Sequence, residues 1–440
     1  MKPLDVAVVG GGVIGLSVAW RCAQRGLRVT VYDPWTASSD TGTEKAAGVD
    51  AAGGGTVVGD AAAHGGNAAA GLGAGDAALP AGGVAAGMIA PVTEAHFGEE
   101  PLLKLALASA ERWPAFAAEL VEANRAAGIG EAAPIGGDDG GGEAASIGVD
   151  DGAAGALLGY RTDGTVLVAY TDDDLRDIHR LHRFYRSLGL PAEALSAGEC
   201  RALEPLLAPR IRGGMHAAGD IHVDPRRLTT SLRAAAQAAG VRCERRTVRQ
   251  LADLPADRVV LAAGCWSAQL LDLPVRPVKG QILRLRAPAG GVPGFRHNVR
   301  GIAGSRSIYL VPRTDGEVVV GATVEELGHD VTVTAGGVHT LLRAAIDVLP
   351  EIAEYELVEA RSGLRPGTPD NAPLLGPATD PRVVVATGHY RHGILLTPIT
   401  ADAIAELVVT GAAPEEIAPF HPGRFDVPDR HSTTSEERRP

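Results

Sequence analysis

Cysteine is scarce: four residues (Cys22, Cys200, Cys243 and Cys265) in a chain of 440, with no CxxC pair. Such usage argues against both a disulfide framework and a thiolate zinc site, and it suits a reducing cytoplasm. Positive charge is also in deficit, with 41 Lys plus Arg against 53 Asp plus Glu and a formal net charge of −12. A nucleic-acid binder needs a basic face to displace counterions, so this balance argues against that class and against an anionic membrane surface. Long apolar runs are missing. The longest charge-free one near the N-terminus, Val6 to Trp20, has 15 residues and holds four Gly, too short and too Gly-rich to span a bilayer. A signal peptide is not expected, because its basic region would be Lys2 alone and no small-x-small cleavage site follows. The chain has no GxSxG elbow and no GxxxxGK[ST] loop, so neither hydrolase nor P-loop chemistry is supported. His179 and His182 stand i, i+3 on an expected helix without a third ligand at suitable spacing, so no metal site is expected.

Glycine, by contrast, is abundant at 57 residues, and it is concentrated. From Ala37 to Val84, 28 of 48 residues are Gly or Ala, and from Gly128 to Gly159 there are 11 Gly and six acids with no Lys or Arg. Segments this poor in side chain bury too little to offset the entropy of ordering, so 37–84 and 128–158 read as flexible insertions and 422–440 as a frayed tail. The remainder alternates between two patterns. Val6–Val9, Arg28–Asp33, Arg258–Ala262 and Arg382–Ala386 are apolar strands of a parallel type, with Val13–Arg25 and Ile394–Thr410 as helices. Pro101–Glu122 and Leu175–Leu188 also read as helices. Ile282–Leu285, Ile308–Val311 and Val318–Ala322 look like strands of a second, more antiparallel sheet. At roughly 150 residues per domain, the length allows two or three domains. The alternation predicts that they are interleaved: 1–127, 208–270 and 356–421 in one, 159–207 and 271–355 in the other.

Gly10-Gly11-Gly12-Val13-Ile14-Gly15 falls between the first strand and the first helix, where a pyrophosphate cradle would stand. Gly10 suits the tight turn, Gly12 the close approach of phosphate and Gly15 the packing of helix on sheet, while the helix N-terminus faces the anion. Asp33 ends the second strand, placed to accept hydrogen bonds from an adenosine ribose, with Pro34 after it. This fingerprint alone does not separate FAD from NAD.

Two C-terminal runs narrow the choice: Gly363-Leu364-Arg365-Pro366-Gly367-Thr368-Pro369-Asp370 and Gly388-His389-Tyr390-Arg391-His392-Gly393-Ile394-Leu395-Leu396. With Ala85-Ala86-Gly87-Met88 and Pro277-Val278-Lys279-Gly280-Gln281, the chain resembles the D-amino-acid-oxidase superfamily of flavoproteins. Within it, the chain looks most like the glycine oxidases of thiamine biosynthesis (ThiO type). The resemblance covers nearly everything outside the insertions and the tail. It implies an α/β fold in which a Rossmann-like FAD-binding domain is interleaved with an α+β, mainly antiparallel-sheet substrate domain.

The resemblance also implies roles. Arg365 would clamp the substrate carboxylate through paired charge-assisted bonds, helped by the Tyr309 hydroxyl, with Arg391 as a second arginine beside the pocket. The bland alternatives are surface ion pairs for the arginines and a sheet-core position for Tyr309. FAD would be held without a covalent bond by Gly10, Gly12, Val13, Ile14, Gly15, Asp33, Pro34, Ala86, Gly87, Met88, Val248, Gly264 and the run from His389 to Leu395. That run comprises His389, Tyr390, Arg391, His392, Gly393, Ile394 and Leu395, whose N–H groups would face the flavin edge where charge develops on reduction. The cysteine that carries covalent flavin in sarcosine oxidases is absent near Gly363, and their oxygen-activating lysine is absent near Val319. Ala81-Gly82-Gly83-Val84 stand where the family carries hydroxyl side chains, and Asp33 where it carries Glu. No residue is expected to act as an acid or base. The implied reaction takes glycine and molecular oxygen to glyoxylate, ammonia and hydrogen peroxide, with thiazole synthase as a partner and a cytoplasmic homotetramer as the assembly. The alternatives are a sarcosine or D-amino-acid oxidase, a dehydrogenase of the same superfamily, and a flavin-binding partner without turnover.

Overall fold

The computed structural model describes residues 3–34, 81–128, 152–288, 293–303 and 306–425. The expectations for 37–80, 129–151 and 426–440 therefore lie outside the described residues. Among the described residues, two large sheets organise the chain. The first has six strands in the order Leu374–Pro377, Val383–Thr387, Arg258–Leu261, Asp5–Val9, Arg28–Asp33, Arg242–Arg245. All neighbours are parallel except the first pair. The opening strand is apolar at every position after Asp5 because both faces are covered. Val6 and Val8 join the core under the helices Val13–Gln24, Glu100–Ala126, Pro225–Ala238 and Thr397–Thr410, whereas Ala7 and Val9 face a smaller core built around Tyr32, Leu254 and Leu261.

Between the opening strand and its helix, Gly10 takes φ +112° and donates its N–H to the Tyr32 carbonyl. A side chain there would collide with the Ala262 carbonyl. The helix begins at Val13 with Gly12 as its N-cap and no side chain closing the first turn, which leaves its leading N–H groups for a ligand. Gly15 sits directly over the Gly10 carbonyl, where no Cβ fits.

The second sheet has eight strands, in the order Glu356–Gly367, Arg276–Arg286, Glu317–Gly321, Arg306–Pro312, Asn298–Ala303, Thr165–Ala169, Gly213–Ala217, Glu193–Ser196. It is antiparallel throughout except where Asn298–Ala303 meets Thr165–Ala169. Two of its strands correct the expected segmentation, since Gly213–Ala217 and Glu356–Gly367 fall in segments assigned to the dinucleotide side. Each continues the chain from one sheet to the other, so hydrogen-bonding edges, not composition, decide its membership.

Segment boundaries moved elsewhere too. The closing helix starts at Thr397, not Ile394, because the preceding residues form a tight turn in which Leu396 N–H meets the His392 carbonyl at 2.8 Å. Gly411 ends that helix at φ +78°. Within the expected acidic insertion, Gly152–Leu158 is a short helix whose Leu158 is fully buried in the first core. The Gly-rich average over the window concealed the two leucines that seat it. Ala81–Gly83 forms a helical turn, and the start of the expected tail, Pro422–Phe425, is another. There Arg424 takes both Asp370 oxygens at 2.9 and 2.8 Å and donates to the carbonyls of Pro373 and Ala372.

Arg424→Ala should therefore lower unfolding stability by about 1–2 kcal/mol, the value of one half-exposed charged hydrogen-bond cluster. Urea denaturation of the FAD-loaded protein measures it, and an unchanged midpoint would show the terminal turn to be unanchored.

Candidate active site

A single cavity of about 880 Å³ runs from the first sheet to the second, at the upper end of the size range for cofactor sites. It opens at the C-terminal ends of the parallel strands, lined by Val9–Gly10, Asp33–Pro34, Ala262–Gly264 and Ala386–Thr387. Strand order reverses between Asp5–Val9 and Arg258–Leu261, so the chain leaves a crevice there with no connection crossing it.

The cavity wall includes Gly10, Gly12, Val13, Ile14, Asp33, Pro34, Ala86, Gly87, Met88, Val248, Gly264 and every residue from His389 to Leu395. Tyr309, Arg365 and Arg391 line it as well. Gly15 alone among the residues singled out lies off the wall, acting through helix packing instead. These surroundings fit FAD. The open space beside Gly12, where a Cβ would meet nothing within 4 Å, adjoins the uncapped helix start and suits a pyrophosphate. The carboxylate of Asp33 accepts the Gly11 N–H at 2.6 Å, so it also fixes the glycine loop. Cys265 lines the cavity, but burial pushes its thiol up to about 12, which keeps it protonated and unreactive.

On the second sheet, Arg365 and Tyr309 reach each other across two intervening strands. Two missing side chains make this possible. A Cβ on Gly280 would strike the Arg365 guanidinium, and a Cβ on Gly321 would strike the Tyr309 ring. Gly321 pairs directly with Tyr309 in the sheet register. The two glycines thus form a trough that gives both side chains room, with the guanidinium near enough to the phenol to act on it electrostatically. Arg365 Nη1 also donates to the carbonyls of Thr323 at 3.2 Å and Lys279 at 3.5 Å. Among the described residues, no carboxylate pairs with Arg365. Burial pushes the Tyr309 phenol up, against the opposing pull of Arg365, so it stays a hydrogen-bond donor.

A second cation near the clamp was not anticipated. Arg300 lies across the strand pair from Tyr309 and lines the cavity with Glu94, its partner at 2.6 Å. It also donates to the Thr93 carbonyl at 3.1 Å and hydroxyl at 3.2 Å. Burial alone would push Glu94 up, but Arg300, with His392 and Arg391, holds its carboxyl below the usual range. Arg391, expected beside the pocket, is exposed at the rim with its guanidinium 5.2 Å from the Tyr390 ring. The only sequence signal for Arg300 was an arginine inside the apolar run Asn298–Ala303. Its partner, 206 residues earlier in the chain, could not be read from spacing.

His389 and His392 are buried, as loop structure requires. His389 Nε2 meets the Thr400 hydroxyl at 3.1 Å, and burial pushes the ring down to about 3. Burial likewise lowers His392. Both are thus neutral near pH 7, unsuited to shuttle protons there. On the helix Asp172–Ser187, His179 is exposed and a ring nitrogen of His182 lies 3.1 Å from the Ala192 carbonyl.

Residues 5–407 match the model of the FAD dependent oxidoreductase family. The glycine oxidase of Geobacillus kaustophilus is 31% identical over 96% of this chain and 98% of its own. Its crystal structure superimposes with a TM-score of 0.73, covering 96% of this chain and 99% of that one. A bifunctional ThiO/ThiG protein of Synechocystis is 38% identical over 51% of this chain and 36% of its own length. A hydrogen cyanide synthase subunit, HcnC of Pseudomonas aeruginosa, is 27% identical over 96% of this chain and 97% of its own.

Two measurements probe this geometry. Gly321→Ala should push the Tyr309 ring off Arg365 and weaken binding of a small carboxylate such as acetate by about tenfold to a hundredfold, as for a misplacement near 1 Å. Titration of the bound flavin's absorbance reads the loss, and wild-type affinity would refute the trough. For His389, the unfolded chain takes up a proton below pH 6.5 that the folded ring refuses until about 3. Its contribution to stability is therefore full above 6.5 and lost as pH falls through that window, by at most about 1.4 kcal/mol per pH unit. His389→Gln keeps a donor or acceptor for Thr400 and should show a shallower acid loss than wild type in urea titrations at pH 7 and pH 4.5.

Proposed function

The chain belongs to the family of FAD-dependent oxidoreductases, and from that premise we propose that it is a glycine oxidase. The observation that carries this reading is Arg365, a guanidinium in a flavin-sized cavity with no carboxylate partner among the described residues. Bound carbonyls orient it without neutralising it, which leaves its charge for a substrate carboxylate. The Tyr309 hydroxyl, kept protonated, would donate the neighbouring hydrogen bond. The wall around these two would exclude water and present the substrate carbon to the ring-binding part of the cavity, beside Ala86–Met88 and His389–Leu395. FAD, when bound, supplies two-electron oxidation of that carbon and returns the electrons to oxygen. Glycine, water and oxygen would then yield glyoxylate, ammonia and hydrogen peroxide. The residues of the proposed carboxylate clamp offer no group with an acid–base role near neutral pH, so the substrate amine would enter unprotonated.

Fusion of ThiO to ThiG in the relatives named so supports a link to thiazole synthase and to thiamine formation. The scarcity of cysteine is what supports the cytoplasm as the site of action, and a homo-oligomer is the assembly proposed with it. The second reading is a dehydrogenase of the same family that passes its electrons to an acceptor other than oxygen.

Adding glycine without air to the yellow protein should bleach the visible flavin band, and admitting air should restore it with release of peroxide. Bleaching without recovery in air would select the dehydrogenase. Bleaching by D-alanine or sarcosine but not glycine would move the substrate assignment. No bleaching by any small amine would overturn the reading. Arg365→Ala should raise the glycine KM about a hundredfold or more, since a bidentate charged contact is worth roughly 3 kcal/mol.

A further inference from the structure

Within Pro277–Gln281, Gly280 serves the trough, but the side chains on either side of it face the other way. We propose that Lys279 is a positioning residue for the Arg365 clamp, acting through the strap from Ala322 to Thr334 that it fastens from below. The proposal rests on reading Arg365 as the carboxylate clamp.

The side chain of Lys279 is wholly buried, with Nζ 2.6 Å from Asp330 Oδ2 and 3.5 Å from Glu325 Oε2. Two residues on, Gln281 donates to Glu325 Oε1 at 2.8 Å and accepts the Thr334 N–H at 2.9 Å. Backbone pairing completes the fastening: Lys279 N–H to the Glu325 carbonyl at 2.8 Å, and Glu325 N–H to the Lys279 carbonyl at 3.0 Å. The strap is thus tied at its start, middle and end by two side chains of one strand. On its cavity side, it offers the Thr323 carbonyl that accepts from Arg365.

Around Thr323 the strap is also paired with Gln281, whose N–H donates to the Thr323 hydroxyl at 2.8 Å and whose carbonyl accepts the Thr323 N–H at 3.2 Å. Farther along, the Ser362 hydroxyl donates to the Val331 carbonyl, Arg276 meets Glu326 at 3.3 Å and Trp266 stands against His329. Lys279 is the buried charge among these ties. The strap's apolar Val324 and Leu327 are more than half exposed, at 54% and 56%, so burial contributes little there. Without the ammonium, Glu325 and Asp330 would face each other uncompensated and the strap would lift. The Thr323 carbonyl would leave Arg365, whose guanidinium would then sample other rotamers. An apolar side chain of similar volume would fill the same space but leave both carboxylates unpaired, so it removes the fastening charge while keeping the packing.

The test uses the FAD-loaded full chain and Lys279→Met. The strap holds Glu325 and Glu326 and no Lys or Arg, so a Glu-specific protease reports its release. Glycolate, a carboxylate without an amine, reports the clamp through the flavin spectrum. The expected result is faster strap cleavage, with glycolate affinity and glycine KM both worsened by about tenfold, the size of one misaligned charged hydrogen bond. FAD content and kcat at saturating glycine should change little. Removing both carboxylates as well, in Lys279→Met/Glu325→Gln/Asp330→Asn, should recover part of the glycolate affinity. If Lys279→Met does not fold, the exposed Asp330→Asn is measured in the same way with the same direction expected. Unchanged cleavage, or faster cleavage with wild-type glycolate affinity, would overturn the proposal and leave the clamp intact. A wild-type flavin spectrum indifferent to both glycine and glycolate would overturn the clamp reading and this proposal with it.

Discussion

A guanidinium kept inside a cavity without a carboxylate partner is costly, because its charge is desolvated and only dipoles compensate it. Much of the second sheet is arranged around that condition at Arg365, which meets no carboxylate among the described residues. Carbonyls of Thr323 and Lys279 supply the dipoles, and Gly280 removes the side chain that would occupy the same space. Arg300, a few strands away, shows the contrasting solution, since Glu94 neutralises it. One cation is committed to the protein and the other is kept available. The proposed function follows from that difference more than from the presence of arginines as such.

The first sheet solves a parallel problem for negative charge. Its opening helix begins on Gly12 with no side-chain cap among the described residues, and Gly12, Val13 and Ile14 of that start line the cavity. An uncapped helix start on one side and an unneutralised guanidinium on the other make the cavity receptive to anionic groups at both ends. The remaining wall is largely apolar, supplied by Val9, Val13, Ile14, Val84, Ile282 and Leu395 among others. That combination suits a long amphipathic cofactor with a small acid beside it.

Interleaving is what brings the two ends together. The chain crosses between the sheets repeatedly, and Glu356–Gly367 is the clearest case. It is the outer strand of the second sheet and carries Arg365, yet it leads directly into Leu374–Pro377 of the first. The Asp370 loop between them is tied down by Arg424 from the C-terminal turn. Helix Glu100–Ala126 adds another tie, with Trp113 and Ser109 both donating to the Leu395 carbonyl in the cavity-lining run.

The amino-acid sequence by itself determined the dinucleotide-type strand–glycine–helix unit, the parallel and antiparallel patterns, and the two C-terminal runs that line the cavity. These are local signals: period, turn chemistry and motif depend on residues within a few positions of one another. It also brought forward Arg365 and Tyr309, though only through resemblance. Tertiary structure alone decided that Gly280 and Gly321 lie beneath those two side chains, that Arg300 meets Glu94, and that Lys279 fastens the strap. Each depends on strand register or on contacts between distant segments. A shift of one residue in register would turn the clamp to the opposite face of the sheet while leaving every local motif unchanged.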